Sequence, residues 1–215
     1  GRILVEVAYS LISTGTEISS VKSSGESLVK KMINDPDKTK KALIFLQNQG
    51  IKKTFAKIQN QIDQANPTGY SCSGVVIQVS EGITDIQPGD RVACAGAGYA
   101  NHSEIVLVPH NLVVKIPDLC ELKDAASVTL GSIAMQGVRR ADPRLGEIVV
   151  VIGLGLLGLI TIQILKAAGC IVIGMDIDDR RVTLAKQLGA DFSLNSIEQN
   201  IPNEIRNKTN DHGAD

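Results

Sequence analysis

I-V-V-V-I-G-L-G-L-L-G-L-I-T-I-Q-I-L-K-A-A-G-C-I-V-I-G-M-D, residues Ile148 to Asp176, decides how the chain folds. A β-branched run leads into Gly153-x-Gly155-x-x-Gly158; an amphipathic stretch follows, and a second β-branched run ends on Asp176. Strand, glycine turn, helix, strand and acid in that order form the pattern that holds a dinucleotide. Gly153 permits the tight turn, Gly155 removes a Cβ that would block a pyrophosphate, and Gly158 lets the helix pack close to the strand. The helix N-terminus then offers free N–H groups and a positive dipole end to the phosphates. Gly153, Leu154, Gly155, Leu156, Leu157 and Gly158, with Asp176 and the adjoining Ile177, are therefore the expected cofactor-binding residues. A carboxylate at Asp176 accepts ribose hydroxyls and repels a 2′-phosphate, so NAD(H) is expected over NADP(H).

The same stretch is uncharged from Ile148 to Leu165 and about long enough to cross a bilayer. Three glycines in six residues, β-branched clusters at both ends and Lys166 in the pattern favour a buried parallel sheet instead.

Working outward, the 215 residues with 43% apolar content suffice for one large core or two modest ones. A net charge of −1 points to no nucleic-acid partner, and no export signal opens the chain. The four cysteines are widely spaced, as suits reduced thiols in a cytoplasmic protein. The pattern starts inside a strand and stops at His212–Asp215, where another strand is due. The chain thus reads as a fragment holding the first mononucleotide half.

Two domains are expected. Residues 1–120 read as a small β-barrel with a helical insert at 22–66, and 121–215 as a partial doubly wound parallel sheet. In the barrel, Ile3–Tyr9, Val75–Val79, Arg91–Cys94, Glu104–Val108 and Leu112–Ile116 are the strands, with a Gln87-Pro-Gly-Asp90 turn. Nine lysines against three acids between Lys22 and Lys57 read as a solvated helix face, as a basic lip for an anionic substrate or as a partner-docking surface. Residues 121–141 read as one linking helix. Asp178–Leu188, Ala190–Leu194 and 196–209 follow as helix, strand and helix.

Gly69-Tyr-Ser-Cys-Ser-Gly-Val75, Gln87-Pro-Gly-Asp-Arg-Val92, Leu130–Val138, Val149–Gly158 and Asp176–Ala190 resemble segments of the medium-chain dehydrogenase/reductase superfamily, zinc-type alcohol dehydrogenase-like. The resemblance covers all but 22–66. It implies a GroES-like barrel, a Rossmann domain and an oxidoreductase of a small-molecule substrate. Tyr9–Glu17 and Ala95–His102 further resemble a branch often joined to a glucose–fructose oxidoreductase-type domain, which implies a fused or partner oxidoreductase domain. Homo-oligomers are usual in the superfamily.

The family's catalytic zinc positions fall by alignment on Thr14, Tyr70 and Thr129, and the four-cysteine lobe is missing. Hydroxyls are poor zinc ligands at neutral pH, so no metal is expected. The resemblance places Thr16 at the proton-relaying hydroxyl, Thr129 near the nicotinamide and Arg181 within reach of the adenosine phosphate or ribose. Thr14, Thr16 and Tyr70 are the candidate catalytic residues, with Tyr70 as proton or hydrogen-bond donor. Tyr70 reads equally as a core tyrosine, Thr16 and Thr129 as turn and helix-start residues. His102 and Tyr99 occupy a glycine-flanked loop that faces either a cleft or solvent. Three functions fit: a zinc-independent NAD(H) oxidoreductase of a carbonyl, alcohol or enone, including sugars; a dinucleotide-binding module without turnover; or a zinc alcohol dehydrogenase with misaligned ligands.

Overall fold

The computed structural model describes residues 1–13, 15, 17, 67–198 and 200–215. The expected insert at 22–66, and Thr14 and Thr16, lie outside the described residues. Two compact units are present, Gly1–Ala126 and Ser127–Asp215.

In the first unit, Ile3 and Val5 alternate inward with Leu4 and Glu6 facing away, the period-2 signature of a half-buried strand. This is β1 (Arg2–Ser10), paired antiparallel with β2 (Ser71–Val79) and with β4 (Ile105–Pro109). Beyond β2 come β3 (Arg91–Ala95) and β5 (Val113–Lys115), giving the order β4-β1-β2-β3-β5 among the described residues. Two register shifts interrupt the β1–β2 ladder, between Leu4 and Val5 and between Val7 and Tyr9. Such bulges bend a strand and increase its twist. Ile3, Val5, Val76, Val92, Val106 and Val108 fill the core. The fifth strand is shorter than expected, because His110–Leu112 winds into a 3-10 turn before it.

The linking helix is not continuous. It is α1 (Leu122–Ala125) and α2 (Val128–Ala141), divided where the two units divide. Hydroxyls from β2 explain the break. Ser71 Oγ donates to the Ala126 carbonyl at 2.6 Å, and Ser73 Oγ donates to that of Leu122. The Leu130 N–H, which a continuous helix would direct at Ala126, goes to the Ser127 carbonyl instead.

The second unit is a parallel sheet in the order β6-β7-β8: β6 (Ile148–Ile152), β7 (Ile171–Asp176) and β8 (Phe192–Asn195). Helices α3 (Leu156–Ala167), α4 (Asp179–Gln187) and α5 (Ile201–Lys208) alternate with the strands. Leu154, Ile162, Leu165, Val172 and Ala185 form its core. β8 starts two residues later than expected because Asp191 acts as an anchor: its carboxylate accepts the Val172 N–H and pairs with Lys166 at 2.7 Å. α5 starts at Ile201, not 196. Asn195 Oδ1 takes the Ile197 N–H in a turn, and Asn200 caps the helix ahead of Pro202. Asp215 lies along β6, its N–H donating to the Ile148 carbonyl and its carboxylate accepting the Ile148 N–H.

Gly74 lies in the β1–β2 ladder opposite Val7. A Cβ there would stand 1.9 Å from the Glu6 carbonyl oxygen. Gly74→Ala is expected to destabilise the first unit by about 2–3 kcal/mol, the scale of an overpacked core. Urea unfolding followed by circular dichroism measures it; an unchanged midpoint would refute the close packing.

Candidate functional site

The glycine turn joins β6 to α3. Gly153 has φ +91° and donates its N–H to the Met175 carbonyl at 2.8 Å, tying the turn to the end of β7. A Cβ on Gly158 would meet the Gly153 oxygen at 2.0 Å, so the helix start rests directly on the turn. Gly155 is different: its φ is −71° and a Cβ would meet nothing within 4 Å. That open space, in front of the first turn of α3, is what a phosphate needs. Among the described residues no side chain caps α3, and the first turn of a helix has no intrahelical acceptors for its N–H groups. The turn therefore fits a dinucleotide's pyrophosphate.

Asp176 ends β7 and is 8% exposed. Its Oδ2 accepts the Leu154 N–H at 2.6 Å; its Oδ1 accepts those of Ile177 and Asp178 at 2.8 and 3.0 Å. Arg181 approaches Oδ2 at 3.6 Å. Burial opposes the charge, but the N–H groups of Leu154, Asp178 and Ile177 together with Arg181 outweigh it and hold the carboxyl below the usual carboxylate range. The carboxylate is thus ionised, and it is braced on the glycine turn.

The remaining cofactor candidates sort by exposure. The Leu154 side chain is fully buried and packs by Gly174, so Leu154 serves the turn through its backbone. Leu156, Leu157 and Ile177 are exposed around the turn. Thr129 is the second residue of α2 and half-buried. Arg180 is exposed, turned towards Asp178. Tyr70 belongs to the first unit, half-buried just before β2, its carbonyl accepting the Gly96 N–H at 2.9 Å. No described residue hydrogen-bonds its hydroxyl.

His102 is neither a free loop residue nor simply solvent-facing. Its Nδ1 lies 2.9 Å from Ser10 Oγ and its Nε2 3.0 Å from Glu17 Oε2. Sequence reasoning missed both partners, which lie 92 and 85 residues away. It also missed the pairing of Cys72 with Cys94 across β2 and β3, both buried and not joined in a disulfide. The register rests on the Val76 N–H, which donates to the Asp90 carbonyl at 2.9 Å, and the stretch 80–90 separates the two strands, so no turn count in the sequence brings the cysteines together. Contact with Cys72 and burial push the Cys94 thiol up, so it stays protonated.

A family model described as "Alcohol dehydrogenase GroES-like domain" matches residues 40–118, and one described as "Zinc-binding dehydrogenase" matches 157–215. The chain belongs to the zinc-type alcohol dehydrogenase-like superfamily. The first match takes in 40–66, so part of the stretch read as an insert lies within the GroES-like range. D-guloside 3-dehydrogenase of Escherichia coli (strain K12) is 39% identical over 151 residues, covering 68% of this chain and 42% of that protein. An alcohol dehydrogenase of Geobacillus stearothermophilus is 30% identical over 159 residues, covering 61% and 47%. The solved alcohol dehydrogenase of Thermus sp. ATN1 shares the fold, with TM-score 0.76, 22% identity and coverage of 100% and 61%. The chain spans about half or less of the length of those two curated relatives.

The superfamily name implies zinc. Of the positions that alignment assigns to it, Tyr70 offers a phenol and Thr129 an aliphatic hydroxyl, while Thr14 lies outside the described residues. Zinc sites are built from thiolate, imidazole and carboxylate, so this donor set does not fit the ion. Among the described residues, no three His, Cys, Asp or Glu side chains gather in a group able to hold a metal. No described helix is long and apolar enough to cross a membrane.

Two predictions follow from the turn and its brace. Gly155→Ala is expected to leave stability within about 1 kcal/mol of the parent while abolishing dinucleotide binding. Gly158→Ala should lower stability itself, by about 2 kcal/mol. Thermal melts beside cofactor titrations separate them, and equal behaviour of the two variants would contradict the geometry. Asp176 has a depressed folded pKa, so its contribution is present above the unfolded value of about 3.9 and is lost as pH falls through the folded one. Asp176→Asn should flatten that part of the acid limb in a pH series of denaturant melts.

Proposed function

We propose that the chain is the barrel and cofactor-binding part of an NAD(H)-dependent oxidoreductase that works without zinc. Its substrate is a secondary alcohol or the matching carbonyl of a sugar-like molecule. The observation that carries the cofactor reading is Asp176, ionised at the end of β7 and bonded to the turn that would hold the pyrophosphate. A 2′-phosphate brought to that end of β7 would meet a fixed negative charge, and Arg181 is already partly neutralised by the same carboxylate. The sugar-like substrate is supported by the 39% identity to a D-guloside 3-dehydrogenase. Cysteines kept as thiols suit a reducing cytoplasm, which is part of the same proposal.

When bound, a nicotinamide dinucleotide supplies or accepts the hydride. The chain's own task is then to hold it and to manage the proton. Gly153–Gly158 and Asp176 do the holding. With hydroxyls at the metal positions, oxyanion stabilisation falls to hydrogen-bond donors. Tyr70 is the leading one, because its phenol is half-buried and no described residue engages it.

Calorimetric titration of the full-length protein tests this, with metal content measured on the same sample. NADH should bind more tightly than NADPH, and Asp176→Ala should weaken NADH roughly ten- to a hundredfold, the scale of lost hydrogen bonds to a charged group. Preference for NADPH would reject the cofactor assignment, and stoichiometric zinc would reject the metal-free one.

A further inference from the structure

We propose that Ser10, His102 and Glu17 form a hydroxyl–imidazole–carboxylate relay that stores one proton beside Tyr70. The proposal rests on the oxidoreductase reading above and deepens it by naming the groups that exchange the proton.

The tautomer follows from the partners. Glu17 Oε2 is an acceptor, so the His102 Nε2 facing it at 3.0 Å carries a hydrogen. The other nitrogen, Nδ1, faces a hydroxyl at 2.9 Å, and a hydroxyl can donate or accept. In the neutral ring the Ser10 O–H donates to Nδ1. In the imidazolium Nδ1–H donates to Ser10 Oγ. Both charge states keep both hydrogen bonds, so gain or loss of a proton costs a hydroxyl rotation and no buried partner. A proton arriving at Ser10 Oγ is matched by transfer of the hydroxyl's own proton to Nδ1. The reverse step returns it, and Glu17 remains a carboxylate opposite the charge.

The relay is held rigidly and partly shielded. The His102 and Glu17 side chains are 23% and 16% exposed. Glu17 Oε1 accepts the Ser13 N–H at 2.9 Å, and the Glu17 N–H donates to the Ser13 carbonyl at 2.9 Å, closing a turn around the carboxylate. The His102 N–H donates to the Thr68 carbonyl at 2.9 Å, and the ring lies on Gly69, where a Cβ would come within 3.0 Å of Cδ2 and Cε1. Gly69 has φ +93° and immediately precedes Tyr70, whose carbonyl is tied to Gly96 at the other end of the His102 loop. The imidazole therefore packs on the backbone that presents the Tyr70 phenol. Among the described residues, the ionisable side chains on β1, the turn after it and the stretches 67–70 and 96–104 are, besides His102, Arg2, Glu6, Tyr9, Glu17, Tyr70, Tyr99 and Glu104, and Glu17 is the one bonded to the ring.

Two measurements on the full-length protein test the relay. Long-range proton–nitrogen spectra, with His102 assigned by His102→Gln, should show the Nε2–H tautomer in the neutral ring. A neutral ring protonated at Nδ1 would overturn the proposal. In turnover assays, Ser10→Ala should lower kcat about tenfold and change the shape of its pH profile, with the KM for the dinucleotide unchanged and recovery in Ser10→Thr. An unaltered pH profile in Ser10→Ala would overturn the relay even if kcat fell, because a structural defect alone produces that. Absence of any oxidoreductase turnover with the Nε2–H tautomer intact would reject the function proposed above and leave the proton store standing.

Discussion

The hydrogen bond from the Leu154 N–H to Asp176 Oδ2 is the constraint on which the glycine-turn end of the second unit depends. It joins the turn after β6 to the last residue of β7, strands that the parallel ladder already sets side by side. Without it a buried main-chain donor would be orphaned, at a cost of about 1–3 kcal/mol. With it, the carboxylate is fixed before any ligand arrives. Gly153 returns the connection through its own N–H to Met175, so turn and strand end are stitched twice.

The arrangement also shows how a charge is kept in a poorly hydrated place. Asp176 gives up water and receives three N–H groups and a distant guanidinium in exchange. Burial alone would favour the neutral acid; the donors reverse that preference. The glycines complement this economy of space: Gly158 brings the helix onto the turn, and Gly155 leaves the gap in front of it. Close packing and open space are thus divided between two residues three apart.

Legibility in the sequence followed the range of the interactions. The glycine turn and Asp176 are local, so spacing alone located them and the sheet around them. The alternating residues of β1 and the Gln87–Asp90 turn announced the first sheet in the same way. Whatever depends on distant partners was hidden. The break between α1 and α2 is made by Ser71 and Ser73, some fifty residues upstream of the carbonyls they engage. His102 looked like an ordinary loop residue because Ser10 and Glu17 meet it only once β1 and the following turn are folded. Nothing periodic marks such a meeting. The register of β2 and β3 was hidden for the same reason: the stretch 80–90 separates the strands, and no count from a turn brings the two cysteines together.

Those cysteines have a use beyond packing. Cys72 and Cys94 lie in the core of the first unit and Cys170 in that of the second, while Cys120 is half-exposed. A thiol reagent reaches a buried sulfur when the surrounding structure opens. The chain therefore carries its own clocks: labelling at Cys72 and Cys94 times the opening of the first sheet, labelling at Cys170 times that of the second, and Cys120 sets the zero. Whether the two units breathe together or separately is written into the order in which four sulfurs become reactive.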